Sequence, residues 1–173
     1  MRFVVVNGPP GAGKSTLAEP LARTLGLPLI AKDTIKEALG DALEVGGEEW
    51  TQRLSNASFE VLFAIAPQCR EAVLEGNFYA PSRDRLRRLD PSPLEVFCRC
   101  PINLCRDRFA RRLDVGRHRV HPPVIPPAAF FEQFDQPLGL GPVLTVATDQ
   151  RVDIAAVAAW IADQRNAAGA TPQ

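Results

Sequence analysis

Apolar residues in this chain recur in two alternating rhythms. Phe3-Val4-Val5-Val6 is a continuous, largely β-branched run, the pattern of a strand buried on both faces of a parallel sheet. Gly8 to Gly13 interrupts it. From near Lys14 the rhythm turns helical, with Leu17, Leu21 and Leu25 four residues apart and Gly26 as the stop. Pro20 falls inside that helix, where a missing N–H and a ring clash cost about 3 kcal/mol, and nothing in the local sequence accounts for it. Pro28 to Ala31 reads as a short second strand, and Asp33 opens a helix to about Leu43. After the Gly46-Gly47 turn, a long helix from Glu48 to about Ala66 presents Leu54, Phe59, Leu62, Phe63 and Ala66 on one broad face.

Pro67 closes that helix. Ala72 to Glu75 is a third strand, Arg83 to Leu89 a short basic helix, and Leu94 to Cys100 a fourth strand. Pro101 suits a first helical turn, and the helix behind it, to about Leu113, carries Ile102, Cys105, Phe109 and Leu113 as its stripe. His121 to Pro127 is too proline-rich for regular structure, and a short helix follows around Ala128 to Phe134. Val143 to Val146 is a fifth strand, and Val152 to Arg165 a last helix. No internal repeat is present. Strand and helix in alternation predict an α/β fold, a parallel sheet with helices on both faces.

Composition narrows the class. The chain has 173 residues, 46% apolar and 23% charged, which suits one domain over 1–173 and excludes a disordered chain. The longest apolar stretch, Ile154 to Ala162, is half of what a membrane span needs, so no membrane association is expected. A strand-like run directly after Met1 leaves no room for a leader peptide, and the expected compartment is the cytoplasm. Formal charge is zero, which argues against capture of nucleic acid by the molecule as a whole. Cys69, Cys98, Cys100 and Cys105 form neither a disulfide framework nor a zinc set; Cys98 and Cys100, two apart, read as small residues on one face of a buried strand. His118 and His121 have no acid at recognisable spacing and read as neither base nor metal ligand. The basic residues are 17 Arg and only 3 Lys, and those three, Lys14, Lys32 and Lys36, fall in one short stretch. In so Arg-rich a chain, a retained Lys points to a place that wants a compact charge.

Gly8-Pro9-Pro10-Gly11-Ala12-Gly13-Lys14-Ser15 fits the phosphate-loop pattern without a gap, between a buried strand and an amphipathic helix. Glycines let successive amide N–H groups converge on phosphate oxygens, and the helix start adds its positive dipole end. Lys14 reaches the β- and γ-phosphates, and the Ser15 hydroxyl completes a magnesium shell. The motif predicts binding of a nucleoside triphosphate.

Here the chain resembles the small P-loop kinases of the zeta-toxin, chloramphenicol phosphotransferase and polynucleotide 5′-kinase type, ATP-binding kinases with an AAA domain. The matching residues are Gly8 to Thr16, Asp33-Thr-Ile-Lys36, Leu74-Glu-Gly-Asn-Phe78 and Cys100 to Arg112, with Arg117-His118 behind them. The resemblance implies a P-loop NTPase three-layer sandwich with a five-stranded parallel sheet and a small Arg-rich lid over about 101–127. It further implies transfer of the γ-phosphoryl group of ATP to a hydroxyl, with Mg2+ as cofactor. Asp33, following the second strand, lies at the carboxyl edge of the sheet, where α/β proteins bind ligands; in similar kinases an aspartate here accepts the proton of the attacking hydroxyl. It also suits an N-cap for a helix starting at Thr34. Lys36, one turn on, would orient substrate or tune Asp33. Glu75 ends the third strand, where P-loop proteins place an acid near the metal shell, and Asn77 would touch substrate by the same positional argument. In similar kinases, arginines at the positions of Arg108 and Arg112 close over the triphosphate as a lid.

These readings converge on a magnesium- and ATP-dependent kinase acting on a small-molecule hydroxyl, as a monomer or homodimer. One alternative is a polynucleotide or RNA-end 5′-hydroxyl kinase, supported by the cluster Arg83, Arg85, Arg87 and Arg88 and opposed by the neutral charge. Others are a nucleoside monophosphate kinase and a nucleotide-binding regulatory module with little transfer activity.

Overall fold

Alternation along the strands decides which side of the sheet each residue serves. A computed structural model of the chain describes residues 2–43, 46–115, 118–121 and 124–169. The strands β1 (Phe3–Asn7), β2 (Leu29–Ala31), β3 (Ala72–Glu75), β4 (Leu94–Arg99) and β5 (Val143–Ala147) form one all-parallel sheet in the order β2-β3-β1-β4-β5. The helices are α1 (Lys14–Leu25), α2 (Lys32–Leu43), α3 (Glu48–Ile65), α4 (Arg83–Leu89), α5 (Ile102–Asp114), α6 (Ala128–Glu132) and α7 (Ile154–Gly169). None is long and apolar enough to cross a membrane. The α/β P-loop fold expected from the sequence is the fold observed.

Val4 and Val6 point to one face and Phe3 and Val5 to the other, as a period of two requires. On the first face Val73, Leu94, Val96, Cys98 and Cys100 pack beneath α1, α5 and α7; on the second, Leu74 and Ala72 meet Leu62 and Phe63 of α3 and Leu86 of α4. Cys98 and Cys100 thus share one buried face, and burial pushes the Cys98 thiol up to about 12. No group of three or more His, Cys, Asp or Glu among the described residues is arranged to hold a metal ion.

Three local differences from the sequence expectations have physical causes. Helix α1 runs unbroken through Pro20, which sits half-exposed, while Thr16, the residue whose carbonyl loses its i+4 donor, is exposed. Helix α7 starts at Ile154 because Asp153 caps it, accepting the Ala156 N–H at 3.1 Å, and it continues past Arg165 to Gly169. Helix α2 starts at Lys32, so Asp33 lies in its first turn and not at the cap.

Glu95 of β4 is the one acid buried in the middle of a strand, 2% exposed. It accepts hydrogen bonds from Asn7 Nδ2 (3.3 Å) and from the Leu138 and Gly139 N–H groups (2.8 and 2.9 Å). Asn7 in turn accepts the Phe78 N–H at 2.9 Å. This network ties the end of β1 to the two loops, after β3 and after α6, that border the site.

Candidate functional site

The loop after β1 is shaped by close approach. Gly11 has a φ of 84°, and a Cβ there would lie 2.3 Å from the Cys105 carbonyl oxygen of α5. Only glycine lets the loop press against α5 in that conformation. The turn is closed by Ala12 N–H to the Pro9 carbonyl (3.1 Å), and Gly13, left-handed, starts α1 at Lys14. Gly8, Pro9, Pro10, Gly11 and Ala12 are buried, Gly13 is half-buried, and Ser15 and Thr16 are exposed.

All three lysines of the chain are buried at this edge: Lys14, Lys32 and Lys36 are 7%, 6% and 4% exposed. Lys14 Nζ donates to the Pro9 carbonyl at 2.9 Å. Burial pulls its pKa below the usual lysine value, against the opposing charges of Glu75 and Asp33. Glu75, at the end of β3, is pushed up by the same burial, with Lys14 opposing and the Ser15 hydroxyl donating a hydrogen bond. A Ser hydroxyl beside a buried carboxylate is the donor pair that magnesium takes when phosphate oxygens and water fill the rest of its octahedron, so the residues present fit the ion.

Asp33 is more open than the lysines and Glu75, its side chain 42% accessible. Partial burial disfavours its ionised form, yet Lys32 at 3.0 Å, His121 and Lys14 together hold its carboxyl well below the usual carboxylate range. Neither histidine has an acid at recognisable spacing in the chain, and the fold brings one to each from far along it. His121 Nε2 lies 2.8 Å from Glu37 and His118 Nε2 3.2 Å from Asp41, both acids on α2. Between them Val120 is fully buried and packs on Gly40, where a Cβ would meet Val120 Cγ1 at 2.0 Å. Residues 118–121 therefore form a strap laid across α2. Residues 116–117 and 122–123 of the lid region, Arg117 among them, lie outside the described residues.

Two cavities flank the loop. One of about 460 Å³ is bordered by Gly11, Gly13 and Thr16, by Arg108, Arg111 and Arg112 of α5, and by Thr148 and Arg151 after β5. Arg108 is half-buried and fixed, donating to the Thr148 carbonyl (3.0 Å) and lying 3.5 Å from Cys100 Sγ; Arg112 is exposed. The other cavity, about 610 Å³, touches Pro10 and is bordered by Asp33, Lys36, Asn77 and His121, with aromatic walls from α3 and the α6 region. Asn77 keeps a buried Oδ1 without a partner. Sequence reasoning missed the Thr148–Arg151 segment, although its place after β5, at the carboxyl edge, was an available signal. It missed the aromatic walls as well, for which no local signal exists.

Three of the four arginines of the α4 cluster contact protein groups, and Arg88 is exposed. Arg83 donates to the Leu138 carbonyl, Arg85 makes two contacts with Glu60 and lies over the Phe63 ring, and Arg87 pairs with Asp84 at 3.3 Å.

Among solved structures, a candidate kinase from Chloroflexus aurantiacus is 28% identical, with 94% of this chain and 97% of that chain covered and a TM-score of 0.83. Shikimate kinase from Acinetobacter baumannii in complex with shikimate shares the fold at 18% identity, 99% and 96% coverage and a TM-score of 0.62. A gluconokinase from Sinorhizobium meliloti does so at 21%, 91% and 87%, and 0.54. No curated protein matches the chain. The AAA domain family model matches residues 3–137, most of the sequence and the whole stretch from β1 through α6. With that match, and with the fold and phosphate loop described above, the chain belongs to the AAA domain family of small P-loop kinases.

Proposed function

We propose that this chain is an ATP- and magnesium-dependent kinase that transfers the γ-phosphoryl group to a hydroxyl of a small molecule. The observation that carries the reading is the pair of cavities on either side of the phosphate loop, one walled by arginines and one by Asp33 and aromatic rings. The 460 Å³ cavity suits the nucleotide: Gly8 to Thr16 cradle the phosphates, with Arg108 and Arg112 beside the transferring group. The 610 Å³ cavity is the size of a single small-molecule site. Ser15 and Glu75 would hold magnesium, which would supply charge neutralisation for the phosphoryl transfer when bound.

The acceptor oxygen attacks the γ-phosphorus as the bond to the β-bridging oxygen breaks, and the hydroxyl proton passes to Asp33 and then to solvent. A carboxylate so strongly held in its ionised form is a weak base. Its first service is to orient the hydroxyl by accepting its hydrogen bond, and it takes the proton late, as a loose transition state allows. Lys14 balances charge on the leaving side, Lys36 and Asn77 border the acceptor, and residues about 101–127 act as the lid. The pairing of Arg83, Arg85 and Arg87 with protein groups removes the main support for a polynucleotide acceptor.

Lys14→Ala tests the reading. Isothermal calorimetry should show ATP affinity falling at least 10-fold while the melting temperature holds, and a chelator should stop transfer from γ-labelled ATP in the native protein. Undiminished ATP binding by Lys14→Ala would sink the proposal.

A further inference from the structure

We propose that the cavity beside Asp33 takes an uncharged alcohol carried by a short arm on a planar aromatic ring; this rests on the kinase reading above and names its acceptor class. The chain has twelve aromatic residues, and six of them border this one cavity: Phe59, Phe63, Tyr79, Phe109, Phe130 and Phe134. Tyr79 and Phe130 are 36% and 37% exposed, large apolar surface left open at its edge. Both stand edge-on to Phe134, with centroids 5.3 and 5.5 Å away. Opposite them, Phe59 and Phe63 stack along α3 at 6.4 Å. A flat ring entering here meets Tyr79, Phe130 and Phe134 on one side and Phe59 and Phe63, with Lys32 and Arg85 beside them, on the other, and can pair edge to face with the open rings.

The reacting end lies close by. Lys32 Nζ is 3.0 Å from Asp33 Oδ1 and 5.6 Å from the Phe59 centroid, so the ring seat and the candidate base share one neighbour. A hydroxyl one or two carbons from the ring spans that gap. Further along α3 the same face changes to Gln52, Ser55 and Asn56, which would meet hydrogen-bonding substituents on the far side.

Charge does not select an anion. The cavity presents four basic side chains, Lys32, Lys36, Arg85 and His121, and three of them already face acids: Asp33, Glu60 and Glu37. A carboxylate or phosphate on the acceptor would find Lys32, Arg85 and His121 already facing acids, with Asp33 and Glu60 on the same walls offsetting the attraction of the cations.

The test separates binding from transfer. Benzyl alcohol, 2-phenylethanol and 2-naphthalenemethanol are compared with cyclohexylmethanol, shikimate and gluconate. Saturation-transfer NMR with a non-hydrolysable ATP analogue reads binding, and γ-labelled ATP reads turnover. Aryl alcohols should bind about 5-fold tighter than cyclohexylmethanol, the scale of aromatic pairing, and shikimate and gluconate weakest. Phe130→Ala should raise KM for the naphthyl alcohol roughly 10-fold, with kcat within about twofold and ATP affinity unchanged, and Phe130→Tyr should restore KM. No aryl binding, tighter binding of shikimate or gluconate, or an unaltered KM in Phe130→Ala overturns the proposal. Aryl binding without any phosphoryl transfer leaves the ring site standing and overturns the kinase reading instead; transfer to gluconate or shikimate without aryl binding does the reverse.

Discussion

Asp33 joins two roles that pull in different directions, and a single substitution separates them. Lys32, His121 and Lys14 hold its carboxylate ionised, and Lys32, almost fully buried, has Asp33 as its ion-pair partner. Asp33→Asn removes the proton acceptor, so phosphoryl transfer measured in single turnover should fall by about 10²–10⁴-fold. It also leaves Lys32 with a neutral neighbour, so the variant should melt lower than the native protein at neutral pH, unlike a change confined to a cap. The sign of the pH dependence is fixed by the direction of the shift. A carboxyl whose folded pKa lies below its ordinary 3.8 stabilises fully above that value and loses the contribution as pH falls toward the folded pKa. The gap in melting temperature between the two proteins should therefore be present at neutral pH and narrow progressively as pH falls below about 4. A gap that widened as pH fell below about 4 would show that Lys32 and His121 do not stabilise the Asp33 carboxylate.

The strap across α2 is the element most easily disturbed. It rests on Val120 against Gly40, with His118 and His121 reaching Asp41 and Glu37 on either side. Glycine inside a helix costs about 0.5–1 kcal/mol relative to alanine, so Gly40 is retained against helix propensity for the sake of contact. Gly40→Val forces its Cβ into Val120, and overpacking of this kind costs about 1–3 kcal/mol, more than the propensity gained. The strap, which is not itself a helix or strand, should yield before α2 does. Because His121 borders the acceptor cavity, acceptor KM should rise severalfold, hydrogen exchange at Val120 and His121 should quicken, and ATP affinity should stay put. Unchanged exchange in that segment would mean that Val120 finds another rotamer at no cost.

Glu95 acts across the molecule. From the middle of β4 it holds the Leu138 and Gly139 amides and, through Asn7, the Phe78 amide, so one carboxylate sets the loops that carry Tyr79 and follow Phe134. Glu95→Ala leaves two buried donors, the Asn7 amide and the Leu138 N–H, unsatisfied, and frees the exposed Gly139 N–H to water. At about 1–3 kcal/mol for each such group, partly relieved by water, the loss should reach about 3 kcal/mol in chemical denaturation. Glu95→Gln keeps one acceptor oxygen and should cost less. Equal losses in the two variants would mean that packing, and not hydrogen bonding, gives Glu95 its place.

Much of this molecule was readable along the chain because its signals are contiguous. Five short apolar runs separated by helical repeats pointed to a parallel sheet, and the three central strands, β1, β3 and β4, are buried on both faces and so do not alternate. Gly8 to Ser15 declared a phosphate loop because backbone amides must converge within eight residues. The positions of Asp33 and Glu75 at strand ends followed from the same topology, which brings every strand's carboxyl end to one edge. Where helices start was less legible: Lys32 belongs to α2 and Asp153 caps α7, choices made by local hydrogen bonds. What the chain could not reveal was assembled from distant segments. The histidines found acids 77 and 84 residues away, the arginines of α4 found Glu60 and Leu138, and six aromatic rings from α3, α5, α6 and the loops beside β3 and α6 met around one cavity. None of those partners is predictable from spacing, because packing two layers against a sheet brings together residues that have no periodic relation in the chain.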